Sequence, residues 1–493
     1  MALRLYNSRT RALEEFHPLQ AGRVTIYVCG MTPSFHPHLG HARTFLTFDV
    51  MRRHLAASGY KVAYVQNVTD IDDRIIERAA TEDVTWDAVV ARYLGEYEEC
   101  ARRLGLMPPD YEPHATGELP SIIEIISGLV KSGAAYESGD GVYFAVDEGA
   151  FPRYGELSHQ SVDELRAGVR VAVREDKRGR LDFALWKKAK PGEPTWPSPW
   201  GPGRPGWHIE CSAMARKYLG DQIDIHGGAA DLIFPHHENE VAQTETFTGK
   251  HPMANFWIHA GLLNVDGQKM SKSLGNFTPL SEMLDRYPAA AIRYLFLQTG
   301  YRKPSNFTED AIDAAAKGLR GLYADLELVR KSSPVALERS SRKSISNPDL
   351  DEFNAYLDDD LNTAGAVGWL QTYLKAARAR TGDGARKSAG AVIATAEQAL
   401  KVLGLPLDAE SAGLTQPRRE LALKPFSRLE LRKLAGESAP DDAALVDKIV
   451  ALRDKARAAK NWAMSDALRD ALARAGVAIK DTPQGSQWSV DGE

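Results

Sequence analysis

The stretch that decides the fold is VTIYVCGM (residues 24–31), followed by HPHLGHARTFLTFDVMRRHLAAS (residues 36–58) and KVAYVQNV (residues 61–68). The first and third segments are short apolar runs rich in β-branched residues, which is typical of buried strands. The middle segment has apolar residues at helical spacing and ends before a glycine, so it predicts a helix. Strand, helix and strand in close succession indicate a βαβ unit, whose ligands bind beyond the carboxyl ends of the parallel strands. Cys29 and Thr69 stand at those ends and are candidate site residues.

The rest of the chain predicts further domains, because 493 residues are too many for one hydrophobic core. We expect an α/β fold, in which a doubly wound parallel, Rossmann-like sheet carries an inserted small domain and is followed by all-α C-terminal domains. The insertion is expected where the pattern changes to short strands and basic, proline-rich turns, and the helical part where apolar spacing becomes helical throughout. The expected divisions are the first half of the sheet domain (1–115), the insertion (116–200), the second half of the sheet domain (201–290), stem and linker helices (291–345), a helical bundle (346–405), a linker (406–440) and a small terminal domain (441–493).

Composition excludes several classes of protein. Charged residues make up 26% and hydrophobic residues 43% of the chain, which is the balance of an ordinary globular protein. The formal net charge of −5 gives no indication of nucleic acid binding, so any basic contact surface must be local. Three cysteines are too few for a disulfide framework and favour a reducing compartment. No run approaches the ~20 apolar residues of a membrane span, so we expect a cytoplasmic protein with no membrane partner.

Two short motifs are candidates for nucleotide chemistry. His38-Leu39-Gly40-His41 stands at the start of the predicted helix, where free amide groups and the helix dipole attract an anion and a glycine allows close approach. The alternative is that one histidine merely caps or packs this turn. Lys269-Met270-Ser271-Lys272-Ser273 places two lysines on a serine-rich loop, which can fold onto phosphates and stabilise charge as diphosphate leaves. The alternative there is a solvated run of charges.

A third motif is glycine-rich, but it does not predict a nucleotide site. The segment GPGRPG (residues 201–206) satisfies the GxGxxG pattern, but it contains two prolines and precedes no obvious helix. We therefore expect a loop and no dinucleotide site.

The two nucleotide motifs together resemble the signature sequences of class I aminoacyl-tRNA synthetases. Longer segments resemble cysteinyl-tRNA synthetases, namely residues 27–49, 64–76, 205–220, 224–243 and 267–277, together with the anticodon-binding end at 457–472 and 479–488. The resemblance implies that ATP activates L-cysteine to cysteinyl-adenylate, which is then transferred to the 3′ end of tRNA(Cys), with AMP and diphosphate as the other products. It also implies that His38, His41, Lys269 and Lys272 are catalytic and, with Gly40, bind ATP and its Mg²⁺.

The same resemblance implies one Zn²⁺ per subunit, bound by Cys29, Cys211, His236 and Glu240. The residues themselves show only that Pro235 can open a helix on which His236 and Glu240 fall four positions apart. Zinc prefers a soft thiolate to a hydroxyl, whereas shape alone separates such analogues only ~10- to 200-fold. Without the resemblance, each cysteine is more simply a buried apolar side chain, which is how we interpret Cys100.

The resemblance also implies a cysteine pocket and an anticodon reader. The pocket would contain Cys29, Thr69, Trp207 and Asp231, with Asp231 pairing with the substrate ammonium; the alternative for Asp231 is a helix cap. The anticodon would be read by Arg457, Trp462, Asp466 and Asp481, since an indole stacks on unpaired bases and charged groups address base edges. The alternative for Trp462 is a core residue of a small helical domain. We expect a monomer.

Two other functions remain open. The related ligase of mycothiol biosynthesis also adenylates cysteine but passes it to an amino sugar, and it needs no anticodon reader. An inactive paralogue that only binds RNA is the second alternative, although the intact motifs argue against it.

Overall fold

The computed structural model of the protein describes most of the chain. The described residues are 2–168, 177–265, 267–269, 278–332, 348–379, 383–414, 431–436, 442–482 and 485–490. Most of the predicted phosphate loop and much of the polar stretches 331–346 and 406–440 lie outside these ranges.

Strands and helices follow one another along the chain. The strands are β1 (Arg4–Asn7), β2 (Ala12–Glu15), β3 (Arg23–Met31), β4 (Lys61–Val68), β5 (Ala135–Ser138), β6 (Gly141–Phe144), β7 (Phe183–Lys188), β8 (Gly203–Pro205), β9 (Ile223–Ala229), β10 (Ala254–Ala260), β11 (Leu263–Val265), β12 (Gln268–Lys269), β13 (Ser305–Phe307), β14 (Val477–Thr482) and β15 (Gly485–Val490). The α-helices are α1 (Leu39–Ala57), α2 (Asp73–Glu82), α3 (Trp86–Arg103), α4 (Leu119–Lys131), α5 (Val162–Gly168), α6 (Trp207–Leu219), α7 (Glu238–Thr248), α8 (Leu280–Arg286), α9 (Ala289–Leu297), α10 (Glu309–Ser332), α11 (Pro348–Asp358), α12 (Thr363–Ala379), α13 (Asp383–Val402), α14 (Asp442–Ala458) and α15 (Trp462–Arg474). Short helical turns lie at Ala115–Gly117, Ala230–Leu232 and Ile233–His237.

The central sheet has the order β10-β9-β3-β4, and all of its strands are parallel. Helix α1 connects β3 to β4, while β9 and β10 come from the chain after the insertion. The order reverses beside β3, and in such sheets the crevice at the carboxyl ends of the strands next to that point is where ligands bind. The predicted parallel α/β class is confirmed.

Strand β3 is buried along nearly all of its length, as expected for a parallel strand covered on both faces. Its pairing with β4 shifts register between Val28 and Met31. At Gly30 a side chain is excluded, because a Cβ atom there would lie 1.6 Å from the backbone oxygen of Asn67. The Asn67 side chain accepts a hydrogen bond from the Gly30 amide at 2.8 Å. The irregularity is therefore built into the strand directly beside Cys29.

The insertion contains an antiparallel sheet in the order β5-β6-β7-β8. The expectation of a loop at residues 201–206 was wrong, because Gly203–Pro205 forms the edge strand β8 and Trp207 begins α6. The glycines are needed for close packing: a Cβ atom on Gly203 would lie 2.3 Å from the Lys187 backbone oxygen, and one on Gly206 would lie 1.9 Å from that of Ala184. The segment lacks the parallel βαβ setting of a dinucleotide fingerprint, since β8 is an antiparallel edge strand.

The C-terminal part is helical, as predicted, and ends in the antiparallel hairpin β14-β15. A large apolar core joins α1 to α9, α10, α12 and α13. A buried ion pair fixes this junction, because Arg293 Nη1 lies 2.7 Å from Asp49 Oδ2 and also donates to the Leu403 backbone oxygen at 3.2 Å. Among the described residues, no helix combines the length and apolar character needed to cross a membrane.

Candidate active site

Four buried side chains converge at the carboxyl end of the central sheet. Cys29 lies near the end of β3, Cys211 lies on α6, and Glu240 lies in the first turn of α7. Cys29 Sγ lies 3.8 Å from Cys211 Sγ and 3.4 Å from Glu240 Oε1, and His236 Nε2 lies 3.0 Å from Glu240 Oε1. Each side chain offers one ligand atom, and these atoms all lie within 4.8 Å of one another.

The chemistry and spacing of this cluster fit a zinc ion. Zinc takes thiolate, imidazole and carboxylate ligands, and two sulfur ligands at about 2.3 Å in a tetrahedral arrangement lie roughly 3.8 Å apart. The two sulfur atoms lie 3.8 Å apart. A disulfide would require about 2.05 Å, and both cysteines are free thiols.

The charges within the cluster also suit a cation. Burial and the neighbouring Cys211 raise the pKa of Cys29. Burial also opposes ionisation of Cys211, but the hydrogen bond from Cys29 and the neighbouring His236 together lower the pKa of Cys211 to about 6. Burial opposes the charge on His236, but Glu240 and Cys211 raise its pKa to about 10. Burial likewise opposes ionisation of Glu240, yet His226 and His236 lower its pKa to about 2. The cluster therefore carries a thiolate on Cys211 and a carboxylate on Glu240, while the Cys29 thiol and the His236 imidazolium would each release a proton when a metal binds.

A group of imidazoles lies behind the cluster, of which the sequence analysis did not single out His226 and His259. His237 Nε2 lies 3.3 Å from Cys29 Sγ, and its Nδ1 lies 2.8 Å from His259 Nε2. His226 Nε2 lies 2.9 Å from Glu240 Oε2. Burial lowers the pKa of His237 and lowers that of His259 to about 3, so both rings are neutral. These contacts orient Cys29 and Glu240.

Pro235 opens the helical segment that bears His236 and Glu240, as predicted. Phe234 is extended (φ −134°, ψ 132°), whereas the helical turn that follows it runs directly into α7, which begins at Glu238. His236 lies in that turn and reaches Glu240 across four positions.

A cavity of about 430 Å³ opens beside the cluster. Several predicted site residues line it, namely Cys29, His38, Gly40, His41, Trp207 and Asp231. The cavity therefore brings one cluster member, the HLGH turn and two predicted pocket residues to a common space.

Both histidines of the HLGH motif cap α1. His38 Nδ1 accepts from the Gly40 amide at 3.1 Å, and His41 Nδ1 accepts from the His38 amide at 3.2 Å. The rings stack with their centres 3.8 Å apart. Burial, then the nearby His38 and Arg74, hold the pKa of His41 well below its ordinary value, so this ring is neutral. Because its Nδ1 is an acceptor, the ring proton lies on Nε2, which remains a donor. The capping alternative is correct for both residues, and it leaves the phosphate-binding alternative open.

The three predicted pocket residues other than Cys29 differ in their surroundings. Trp207 lies against the His236 ring, with ring centres 4.4 Å apart. Asp231 lies exposed in the turn Ala230–Leu232 and does not act as a side-chain cap, so the capping alternative was wrong. Thr69 is buried, and its hydroxyl accepts a hydrogen bond from the side-chain amide nitrogen (Nδ2) of Asn67 at 3.2 Å.

The predicted phosphate loop can be located only at its start. Lys269 ends β12, which pairs with β11 beside the cavity residues Gly261 to Leu263. Lys272 and the side chain of Lys269 lie outside the described residues.

Comparison with known proteins agrees with this arrangement. Residues 15–317 match the family described as the tRNA synthetases class I (C) catalytic domain, and residues 439–488 match the cysteinyl-tRNA ligase anticodon binding domain. The cysteine–tRNA ligase of Geobacter metallireducens is 42% identical over 501 residues, covering 99% of this chain and 100% of the relative. That of Alkalilimnicola ehrlichii is 45% identical over 489 residues, covering 99% of each.

The chain belongs to the cysteine–tRNA ligase family. Its activity is therefore that of a class I aminoacyl-tRNA synthetase, with an amino acid, ATP and tRNA as substrates. The match to an anticodon-binding domain argues against the amino-sugar ligase considered above.

Solved structures of other synthetases share the fold of this cysteine–tRNA ligase family member. Methionyl-tRNA synthetase of Mycobacterium tuberculosis, bound by methionyl-adenylate, aligns with a TM-score of 0.58 over 86% of this chain and 96% of that chain, at 15% identity. A putative arginyl-tRNA synthetase of Campylobacter jejuni gives a TM-score of 0.53 over 80% of this chain and 94% of that chain, at 12% identity.

The four predicted anticodon residues come from α14, α15 and β14. Arg457 Nη1 lies 2.6 Å from Asp481 Oδ1, and Arg453, which the sequence analysis missed, donates to the same carboxylate at 2.7 and 3.1 Å. These contacts, from Arg453 above all, hold the pKa of Asp481 well below its usual range. Trp462 is 59% exposed, so the interpretation as a core residue was wrong. Asp466 is also exposed.

Proposed function

We propose that this chain makes cysteinyl-adenylate in the cavity between the four-residue cluster and the HLGH turn, and that it then charges tRNA(Cys). A cysteine carboxylate oxygen attacks the α-phosphorus of ATP, and the bond to the β-phosphate breaks to release diphosphate. The terminal ribose hydroxyl of the tRNA then attacks the acyl carbon and AMP leaves. The observation that carries this proposal is the common cavity, about 430 Å³ in volume, which is lined by both Cys29 and the HLGH residues.

We assign one zinc ion per subunit to Cys29, Cys211, His236 and Glu240. When bound, zinc supplies a preference for the soft thiolate of cysteine over the hard hydroxyl of serine. The protein side chains exclude water from this centre, since none of the four is more than 6% exposed. His226 fixes Glu240 through the 2.9 Å hydrogen bond. With the substrate side chain selected in this way, no separate editing site is needed in the insertion.

We assign the ATP site to His38, Gly40 and His41, with Lys269 and Lys272 contributed by the loop after β12. The start of α1 offers backbone amides and a positive dipole end to phosphate. The neutral His41 ring adds an Nε2–H donor, because its Nδ1 is occupied by the cap. Mg²⁺ would accompany ATP and the two lysines would offset charge on the departing diphosphate. No general base is required, since the attacking carboxylate is already ionised.

We assign the cysteine pocket to Cys29, Thr69, Trp207 and Asp231. Asp231 is an exposed carboxylate in the cavity wall and suits the substrate ammonium. Trp207 packs on His236 and would close the side-chain end of the pocket. The Thr69 hydroxyl is buried and hydrogen-bonded to the Asn67 side chain.

We assign anticodon reading to Arg457, Trp462, Asp466 and Asp481. The exposed indole of Trp462 can stack on an unpaired base, and the clustered charges can address base edges. We further propose that the chain acts as a monomer in the cytoplasm, and that its domains divide as the sequence predicts, except that the insertion extends through β8.

The test is transfer of labelled cysteine to total tRNA, with the mycothiol amino-sugar precursor offered in a parallel reaction. We expect label on tRNA and none on the amino sugar. Transfer only to the amino sugar would contradict the proposal, and transfer to neither would favour an inactive RNA-binding paralogue. Exchange of label between ATP and diphosphate alone would not separate the two ligases, because both adenylate cysteine.

A further inference from the structure

Arg74 lies in the first turn of α2, and its side chain lines the proposed active-site cavity. Its guanidinium lies over the Trp207 ring, with the central carbon 5.3 Å from the ring centre. Nε donates to Asp72 Oδ1 at 2.8 Å, and Nη2 lies 3.5 Å from Thr32 Oγ1. Two neighbours therefore fix the orientation of a side chain that is still 55% exposed.

Among the described residues, Asp72 is the one carboxylate that pairs with Arg74, at 2.8 Å. Asp73, which precedes Arg74 in α2, is already paired with Lys187 at 2.6 Å and with Arg204. The field of Arg74 reaches His41, where it adds to burial and to His38 in disfavouring the charged ring. Arg74 therefore contacts Trp207 of the proposed cysteine pocket and acts electrostatically on His41 of the proposed ATP site.

The donor groups of Arg74 suit a planar or tetrahedral oxyanion. A guanidinium group presents several N–H donors in a rigid fork that matches phosphate oxygens in pairs. Asp72 occupies Nε, whereas the Nη edge meets only the long Thr32 contact among the described residues. That edge is the part of the group that remains for a ligand.

We propose that Arg74 binds a phosphate group of a substrate in this cavity through its Nη edge and stabilises the charge that develops there. The phosphate belongs either to ATP during adenylate formation or to the 3′ end of the tRNA during transfer. The inference rests on the proposed function of the cavity and adds to it a cation from α2, distinct from the two lysines after β12.

Two variants separate charge from packing. Arg74→Gln removes the charge, and Arg74→Lys keeps the charge but loses the fork. Arg92→Gln is the matched control, because Arg92 is 52% exposed, pairs with Glu82 at 2.6 Å and lies over the Tyr93 ring, yet does not line the cavity.

Two rates are measured for each full-length variant: exchange between ATP and diphosphate without tRNA, and single-turnover transfer from preformed adenylate to tRNA. We expect Arg74→Gln to lower one of them by about thirtyfold or more, as for loss of a donor to developing charge. The fold-loss of that rate in Arg74→Lys should be at least about tenfold smaller than in Arg74→Gln. Both rates of Arg92→Gln should stay within about twofold of those of the parent protein. A loss in exchange identifies the ATP phosphates, and a loss confined to transfer identifies the tRNA phosphate.

Two results would overturn the inference. One is an Arg74→Gln protein with both rates within about threefold of the parent protein. The other is an equal rise in the KM for cysteine in Arg74→Gln and Arg74→Lys with no change in either rate. That result would mean that Arg74 only positions Trp207. Failure of the parent protein itself to activate cysteine would instead contradict the proposed function.

Discussion

Replacing His41 with asparagine separates the two tasks of this side chain. His41 Nδ1 accepts the His38 amide at 3.2 Å, and the ring is neutral because burial holds its pKa well below the ordinary value. Asparagine offers Oδ1 as an acceptor at the same position along the side chain and has no atom that reaches the position of Nε2. His41→Asn therefore keeps the helix cap and removes the donor that we assign to ATP.

We expect the kcat of ATP–diphosphate exchange to fall about 10²- to 10³-fold in His41→Asn, or about 2.7–4 kcal/mol, which is typical for one donor placed at developing charge. The fold should be little affected. In His41→Ala the same loss of activity should be joined by about 0.5–2 kcal/mol of lost stability, because the cap is removed as well. Exchange is assayed at saturating cysteine and ATP, and the free energy of unfolding is obtained from urea titrations of the three proteins.

His41→Asn with exchange within about threefold of the parent protein would refute the donor role. Equal free energies of unfolding for His41→Asn and His41→Ala would refute the capping role.

Three further predictions follow from other contacts. Cys211→Ser should weaken zinc binding by at least about a hundredfold, since sites of this kind bind with about 10–16 kcal/mol in total, and should abolish cysteine activation. Cys100→Ser is the control, because it alters a buried cysteine outside the cluster and should retain the metal. Metal content and ATP–diphosphate exchange are measured for both variants. Undiminished activity of Cys211→Ser would contradict the assignment. Trp462→Ala should lower tRNA charging about ten- to a hundredfold through lost base stacking while cysteine activation without tRNA stays unchanged; unaltered charging would argue against base stacking. Asp49→Asn should cost about 3–5 kcal/mol because it leaves Arg293 buried without its partner. Although burial opposes its ionisation, Arg293 holds the pKa of Asp49 below the ordinary value, so this stabilisation is present above about pH 4 and is lost as the pH falls further. The difference in urea unfolding between the parent protein and Asp49→Asn should therefore shrink below about pH 4, and a constant difference would contradict the ion pair's role.

The first βαβ unit could be predicted closely because its signals are local. The strand expected over 24–31 runs over Arg23–Met31, and the strand expected over 61–68 has those bounds. The helix begins at Leu39, since His38 serves as the cap. Apolar period and capping chemistry act within a few residues, so a single sequence contains them.

The metal cluster could not be predicted from spacing, because its members come from separate elements. Cys29 and Cys211 are 182 positions apart and meet because α6, which bears Cys211, packs against β3. Resemblance to a family suggested the ligands, but the residues alone did not. The supporting His226 and His259 had a usable signal, since each lies in a strand that ends at the same edge as Cys29.

The strand β8 within residues 201–206 and the terminal hairpin were missed for another reason. Both are short, and each depends on a partner strand that the local sequence does not reveal. The need for glycine at Gly203 and Gly206 comes from the backbone of β7, which lies earlier in the chain.

The central claim is that a metal bound by Cys29, Cys211, His236 and Glu240 selects cysteine over serine. The most direct measurement is the ratio of kcat/KM for activation of cysteine to that for serine, in the full-length protein as purified, after metal removal by a chelator, and after zinc is returned. We predict a ratio well above the ~200-fold that shape alone provides, loss of cysteine activation on removal, and recovery with zinc. A ratio and a rate that do not change when the metal is removed would contradict the account.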